Sequence, residues 1–470
     1  MAAGALARAV GETMAIVKTS AKAAAVNPLK MSQPLGAAYA FLGMNRCMPV
    51  MHGSQGCTSF GLVLLVRHFR EAIPLQTTAM NEVSSIMGGL ENIEKAVLNI
   101  RQRAKPALIG ICSTGLTETK GDDVDAYLKL IRQRHPDLDD TALVYVSTPD
   151  YLGAFQDGWG KAVEAMVRAL ATPAAEKKDG QVNLLAGCHL TPADIEELRD
   201  IIEAFGLTAI VLPDVSGSLD GHMSNEFSPT TMGGTTLEEV GRLGASVATI
   251  AVGEQMRPAA EALRDITGVS YVLFDRLTGL TPNDRLLAYL SELSGVPVPQ
   301  RYRRQRSQLQ DAMLDGHFFF GGKKVAIGAE PDLLLALAPW LMEMGCSIGC
   351  AVTTTASAGL AALDIPEVLI GDLEDLEHGA AGCDLLITHS HGRQAAQRLH
   401  LPFHRAGLPL FDRLGAGHQL SVGYRGTRGL VFEIGNLLLA ADHAVTPDSW
   451  RLPQATLDQL TTTTVHEEAL

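Results

Sequence analysis

The chain has 470 residues, room for about three domains at roughly 150 residues each. Lys+Arg is 38 against Asp+Glu 52, and a net charge of −14 excludes general nucleic-acid binding, which needs a basic surface. Aromatic residues make up only 5% beside 46 glycines, a balance that suits an α/β chain with tight strand-to-helix turns rather than a β-sandwich.

Taken in chain order, residues 1–26 are rich in Ala with scattered Lys and Arg, and are expected to form a disordered or frayed extension without a secretory core. Apolar runs at 107–112, 142–147, 182–186, 209–213, 247–252, 325–328, 348–352, 367–370 and 384–388 read as strands covered on both faces. Amphipathic helical patterns lie between them at 122–134, 193–205, 258–267 and 331–344. This βαβα order predicts an α/β fold of three Rossmann-like domains, each a parallel β-sheet flanked by helices. The small polar stretch 172–180 and the Pro- and Gly-bearing stretch 296–324 place the domains at 27–178, 179–318 and 319–470, the last with a C-terminal tail. The longest apolar runs, 60–66 and 333–342, are shorter than the ~18 residues of a membrane span and are expected to be buried elements.

Seven cysteines, at 47, 57, 112, 188, 346, 350 and 383, are an odd number spread over a long chain. They form no disulfide framework, and the expectation is a reduced, cytoplasmic protein. No G-x-x-x-x-G-K-[ST] phosphate loop, complete dinucleotide fingerprint, G-x-S-x-G elbow or H-E-x-x-H pair occurs, so a stand-alone enzyme has no visible machinery.

The most informative segment is His52-Gly53-Ser54-Gln55-Gly56-Cys57, followed by an apolar run into Arg67-His68-Phe69-Arg70-Glu71. Gly53 and Gly56 allow a tight turn and close approach to a bulky ligand. Cys57 falls where a helix begins, a position whose free amides favour a thiolate. A lone cysteine is by itself more often an inert core residue.

These residues, together with Asn27-Pro28-Leu29-Lys30, Ser32-Gln33-Pro34, Gly36-Ala37, Met48-Pro49, Thr77-Thr78-Ala79-Met80, Gly88-Gly89, Glu91-Asn92, Ser113-Thr114-Gly115 and Gly121-Asp122-Asp123, resemble the nitrogenase component 1 β-subunit-like superfamily. Ser216-Gly217-Ser218-Leu219-Asp220-Gly221-His222, the 301–315 segment, Gly371-Asp372-Leu373-Glu374-Asp375-Leu376-Glu377-His378 and Gly423-Tyr424-Arg425-Gly426 are similar to one branch of it. That branch supplies the β-like subunit of the scaffold on which the nitrogenase iron–molybdenum cofactor is matured in nitrogen fixation. The resemblance covers nearly all of residues 27–440.

The catalytic relatives supply three thiolates to an eight-iron cluster, one from each of three segments. Here the first segment carries Ser32, the third carries Gly115, and only Cys57 remains. The resemblance therefore implies a scaffold rather than a catalytic subunit. It implies an α2β2 assembly with NifE, an interface [4Fe–4S] cluster with three cysteines from NifE and Cys57 from this chain, and an iron–molybdenum cofactor precursor held transiently by the complex. It also implies NifB as precursor donor and the nitrogenase iron protein NifH as the ATP-dependent docking partner. The assigned site residues are thus Cys57 as metal ligand, with Gly56 and Gly53 beside it. Two other readings stay open: a subunit of a related oxidoreductase of the dark protochlorophyllide reductase type, and a metal-free small-molecule binding protein.

Other clusters read as structural. Cys47 is expected to pack, and Cys346 with Cys350 lacks further ligands for a metal. Asp150, in the place of a serine near the catalytic relatives' cluster, is expected in a turn or cap. Asp372 is expected to N-cap a helix. His389 and His391 are expected in a turn, facing opposite ways on extended backbone. The loop 216–222 follows a strand end, and Arg301, Arg303, Arg304 and Arg306 are expected on the solvated or intersubunit face of an amphipathic helix.

Overall fold

The computed structural model describes residues 14–223 and 226–441. Fourteen strands form three sheets, and every strand pair in them is parallel. The first sheet, ordered β3-β2-β4-β5, uses β2 (Cys47–His52), β3 (Gln76–Thr77), β4 (Leu108–Ser113) and β5 (Ala142–Val146). The second, β7-β6-β8-β9, uses β6 (Gln181–Ala186), β7 (Thr208–Leu212), β8 (Ala248–Val252) and β9 (Tyr271–Phe274). The third, β1-β12-β11-β10-β13-β14, uses β1 (Ile16–Thr19), β10 (Lys324–Ala329), β11 (Ser347–Thr353), β12 (Glu367–Ile370), β13 (Leu385–Thr388) and β14 (Phe403–Arg405). The nine apolar runs all became strands, because parallel strands covered by helices on both faces must be apolar along their whole length.

Three expectations change. Residues 1–26 were expected to be a loose extension; 1–13 lie outside the described residues, but Ile16–Thr19 pairs in register with Glu367–Ile370 as an edge strand. Backbone pairing suffices there, and the strand stays mostly exposed, which is why its sequence carries no burial signal. The expected boundary at 318/319 falls inside a continuous helix, Gln300–Phe320, which packs against the helix Gly423–Ala441. Finally, the run 60–66 is buried on one face only: Gly61, Leu64 and Leu65 are buried, but Phe60 and Val63 are more than half exposed, whereas 333–342 lies in a buried helix as expected.

The centre of the molecule is helix α1 (Gln33–Leu42), every residue of which is buried. It crosses the helix Phe155–Leu170 so closely that a Cβ at Gly36 would overlap the Phe155 carbonyl, and a Cβ at Gly158 would overlap the Gln33 carbonyl. Tyr39 sits in that crossing against Phe69, Phe155 and Trp159, with ring centroids 5.5, 5.7 and 4.7 Å away. The Trp159 indole donates to the Ala186 carbonyl at the end of β6, 2.9 Å away, and so joins the first sheet's helix layer to the second sheet. One hydrophobic core runs through all three sheets, with smaller clusters on outer faces of the first and third.

Gly36→Ala is expected to destabilise the fold by about 1–3 kcal/mol, the usual cost of forcing extra volume into a packed crossing. Gly429→Ala, on the exposed side of a helix where a Cβ meets nothing, should instead be neutral or gain up to about 1 kcal/mol. Thermal melts of the two variants against the parent test this contrast.

Candidate functional site

Strand β2 ends at His52, and the chain turns through Gly53 and Ser54 into helix α2 (Gln55–Phe69). The turn is pinned from three sides. The His52 carbonyl accepts hydrogen bonds from the Thr114 and Thr117 hydroxyls, at 2.9 and 3.1 Å. The fully buried His52 ring has Nδ1 2.9 Å from the Thr78 hydroxyl and Nε2 3.4 Å from Asp122 Oδ2. Burial outweighs that carboxylate and holds the His52 pKa down to about 4, so the ring is neutral. The Gly53 carbonyl accepts the Met80 amide at 2.9 Å. A Cβ at Gly53 would strike the Thr114 side chain, so glycine is required there for close packing.

Cys57 is the third residue of α2 and is exposed. Ser54 N-caps the helix without using its side chain for the cap, and its hydroxyl lies 3.5 Å from the Cys57 sulfur instead. The first-turn amides of α2 therefore have no side-chain cap. A Cβ at Gly56 would meet nothing nearer than Ser54 Oγ, 3.9 Å away. Gly56 thus serves no packing need within the chain; it leaves open space beside the thiol.

Cys57 also lines a cavity of about 540 Å³. Its wall includes Cys57, Phe60, Val63 and Arg67 from one face of α2, and Lys30, Met31 and Ser32 from the segment entering α1. Thr114, Asp150 and His391 complete it, bringing together parts of the first and third sheets. Cys57 is the only cysteine lining it. Ser32 begins α1 as its N-cap, and Gly115 begins the short helix Gly115–Lys120. A Cβ at Gly115 would fall on Asp150 Oδ1, so the Asp150 carboxylate occupies the place a side chain at 115 would take. The residues present fit one corner of a thiolate-bound iron–sulfur cluster: one exposed thiol, an uncapped helix start and an open space next to it. They do not fit a complete cluster, since such clusters take about four thiolates.

The structure places the remaining candidates as follows. Cys47 is buried on β2, its thiol pushed up by burial. Cys346 is buried with its sulfur 3.3 Å from the Phe320 carbonyl, and among the described residues no group of three His, Cys, Asp or Glu side chains could hold a metal ion. Asp372 caps its helix, accepting from the Glu374 and Asp375 amides at 3.0 Å each. His389 acts as a cap, its Nδ1 accepting the His391 amide at 3.3 Å. The two histidines do not face apart as expected: residues 390–392 form a 3-10 turn, and the rings meet edge to face at 5.2 Å. Asp150 lies in a turn, as expected, but its carboxylate caps nothing and makes no hydrogen bond; it points toward Gly115 and the cavity. In the loop 216–222, Asp214 organises the turn through Ser216 and Gly217, and Asp220 pairs with His222 at 2.5 Å. Arg306 pairs with Asp284 at 2.7 Å, and Arg301 lies over the Tyr302 ring. Sequence reasoning missed that Lys30, Arg67 and His391 share one cavity, since they lie in segments far apart along the chain.

Residues 32–439 match the family described as nitrogenase component 1 type oxidoreductase. The chain is 60% identical over 453 residues to the nitrogenase iron-molybdenum cofactor biosynthesis protein NifN of Bradyrhizobium diazoefficiens, covering 94% of this chain and 97% of that protein. Proteins of the same description from Mesorhizobium japonicum and a Nostoc species are 53% and 51% identical, over 91% and 92% of this chain and 94% and 97% of their own. A chain of the solved structure "Nitrogenase Cp1 at pH 6.5" superposes with a TM-score of 0.87 at 32% identity, covering 93% of this chain and 98% of its own. A chain of "Nitrogenase Cp1 at pH 5", at TM-score 0.68 and 14% identity, shares the fold.

Three histidines around the site are held neutral by burial: His52 at about 4, His68 at about 3 and His389 at about 4, against 6.5 for a free ring. Below pH 6.5 the unfolded chain takes up protons that the folded chain refuses, so stability is lost as pH falls from about 6.5 toward 4. Melting temperatures measured across that window should drop steadily. His68→Asn, whose amide oxygen can replace Nδ1 as acceptor of the Leu410 amide, should flatten the slope.

Proposed function

Because this chain belongs to the nitrogenase component 1 type oxidoreductase family, we propose that it is the β-like scaffold subunit for maturation of the nitrogenase iron–molybdenum cofactor. In this reading it pairs with an α-like partner of the NifE type as an α2β2 assembly and shares an interface [4Fe–4S] cluster with it. The observation that carries the reading is the single thiol at the cavity mouth. Ser32 and Gly115 leave Cys57 alone, so any cluster there must draw its other ligands from a second chain. The curated relatives that share most of this sequence are described as cofactor biosynthesis proteins, which supports assembly rather than dinitrogen reduction.

The surface around Cys57 suits such a partner. Phe60 and Val63, which line the cavity with Cys57, are exposed apolar side chains, as are Tyr151 and Leu152, which follow the cavity residue Asp150. A patch of this kind is the usual core of a protein–protein interface, and covering it would exclude water from the thiol. Cys57 would hold one iron corner, with Gly56 leaving room for the inorganic core; a cubane bound there would supply one-electron relay. Phe60 and Val63 would form the dry wall, and the pinned turn at His52 and Gly53 would fix where the sulfur points. In the same reading a NifB-type protein delivers the precursor, and the nitrogenase iron protein NifH docks and hydrolyses ATP, consistent with a chain that carries no phosphate loop.

Anaerobic co-purification with the α-like partner tests this, reading iron per αβ pair and the reduced-state EPR signal. Wild type is expected to give a brown complex with a cubane signal, and Cys57→Ala to lose or alter that signal while the complex still forms. An unchanged signal in Cys57→Ala would remove the ligand assignment. A colourless chain that never binds the partner would favour a metal-free binding protein, and bound pigment would favour the protochlorophyllide reductase type.

A further inference from the structure

We propose that Lys30, Arg67 and Asp150 set the reduction potential of the cluster held at Cys57, the two cations raising it and the carboxylate lowering it. This rests on the interface-cluster reading above and assigns a role to three side chains that do not ligate iron.

All three line the same cavity as Cys57. Lys30 is half-buried and makes no hydrogen bond or ion pair; the opposite charge that feels its field is Asp157, which lies outside the cavity lining. The Arg67 guanidinium stands 4.2 Å over the Phe411 ring and has no carboxylate partner. Asp150 is half-buried with an unpartnered carboxylate, placed where a side chain at Gly115 would have been. Elsewhere comparable charges are neutralised inside the chain: Arg405 pairs with Asp412 at 2.9 Å and Arg306 with Asp284 at 2.7 Å. His391, on the same wall, is pushed down by burial and by Arg67, so it adds no charge near neutral pH. The cavity therefore presents two positive charges and one negative charge that make no hydrogen bond or ion pair within the chain, Lys30 being offset only through the longer-range field of Asp157.

A cubane with four thiolates is a dianion when oxidised and a trianion after gaining one electron, with no proton taken up. A fixed positive charge stabilises the more negative, reduced form, and a fixed negative charge opposes it. With a partner subunit covering the cavity, water is excluded and these fields are weakly screened.

The test is an EPR-monitored redox titration of the anaerobically purified complex, with dithionite as the one-electron reductant. Lys30→Met and Arg67→Met are each expected to cut the reduced-to-oxidised ratio at a fixed potential about tenfold, a downward shift of about 59 mV for one electron. Asp150→Asn is expected to shift the midpoint upward by a similar amount. Arg67→Lys, which keeps the charge, should stay near wild type, an outcome that a purely packing role for Arg67 does not produce. Elution as the intact heterotetramer confirms that each variant assembles. If the cluster is present and the three charge-removing variants all titrate with wild type, this inference is overturned while the scaffold reading stands. If the variants instead lose the partner without shifting the potential of the remaining complex, the charges serve docking and the inference also fails. If wild type carries no iron at all, the proposed function falls, and this inference with it.

Discussion

The arrangement depends on one crossing of two helices at backbone contact. At Gly36 and Gly158 each helix receives the other's carbonyl where a side chain would otherwise stand. Helices normally pack 8–10 Å apart, kept there by their side chains; removing both Cβ atoms lets α1 sink into the middle of the protein. From there its ends reach the other layers. The Gly43 carbonyl at its C-terminus accepts the Asp214 and Thr235 amides of the loops beyond the second sheet. Its N-terminus delivers Lys30 and Ser32 to the cavity wall.

The candidate site follows from that placement. With α1 fixed, β2 lies beside β4, and the turn after β2 is clamped by Thr78, Thr114 and Thr117. The thiol of Cys57 is therefore carried on a rigid start of helix although its own surroundings are open. A rigid frame with one open side is what a shared site needs, because the other ligands and the rest of the shell can then come from another chain. The exposed apolar side chains on α2 point the same way: a helix that is apolar on its outer face is complete only when something covers it.

Neither the position of Ser32 nor that of Gly115 leaves a gap in the fold. Ser32 stands at the N-cap position of α1 without a side-chain cap bond, and Asp150 fills the volume beside Gly115. The second replacement alters electrostatics as well as ligand count, since a carboxylate without a partner remains where a side chain could have been. That carboxylate shares the cavity with Lys30 and Arg67 and pairs with neither.

Much of the chain was legible from pattern. Parallel strands buried on both faces must be apolar throughout, and helices packed on them must be amphipathic, so the alternation and the three-sheet α/β architecture are written in local composition. The His52–Cys57 segment was legible for a similar reason: a turn that needs glycine, followed by a helix start bearing cysteine, is a local requirement. Five strands escaped the pattern: β1, β2, β3, β9 and β14. β1 is an exposed edge strand. β2 contains Pro49, which argues against a strand, yet β3 pairs only with Val50 and Met51 and leaves that flank of Pro49 without a strand partner. Only tertiary structure could decide that Phe60 and Val63 face outward while Leu64 and Leu65 enter the core, that Asp150 stands in for a side chain at 115, and that Lys30, Arg67 and His391 line one cavity with Cys57. Those facts depend on which distant segments come together in space, and sequence periodicity records which face of an element is apolar, not what that face will meet.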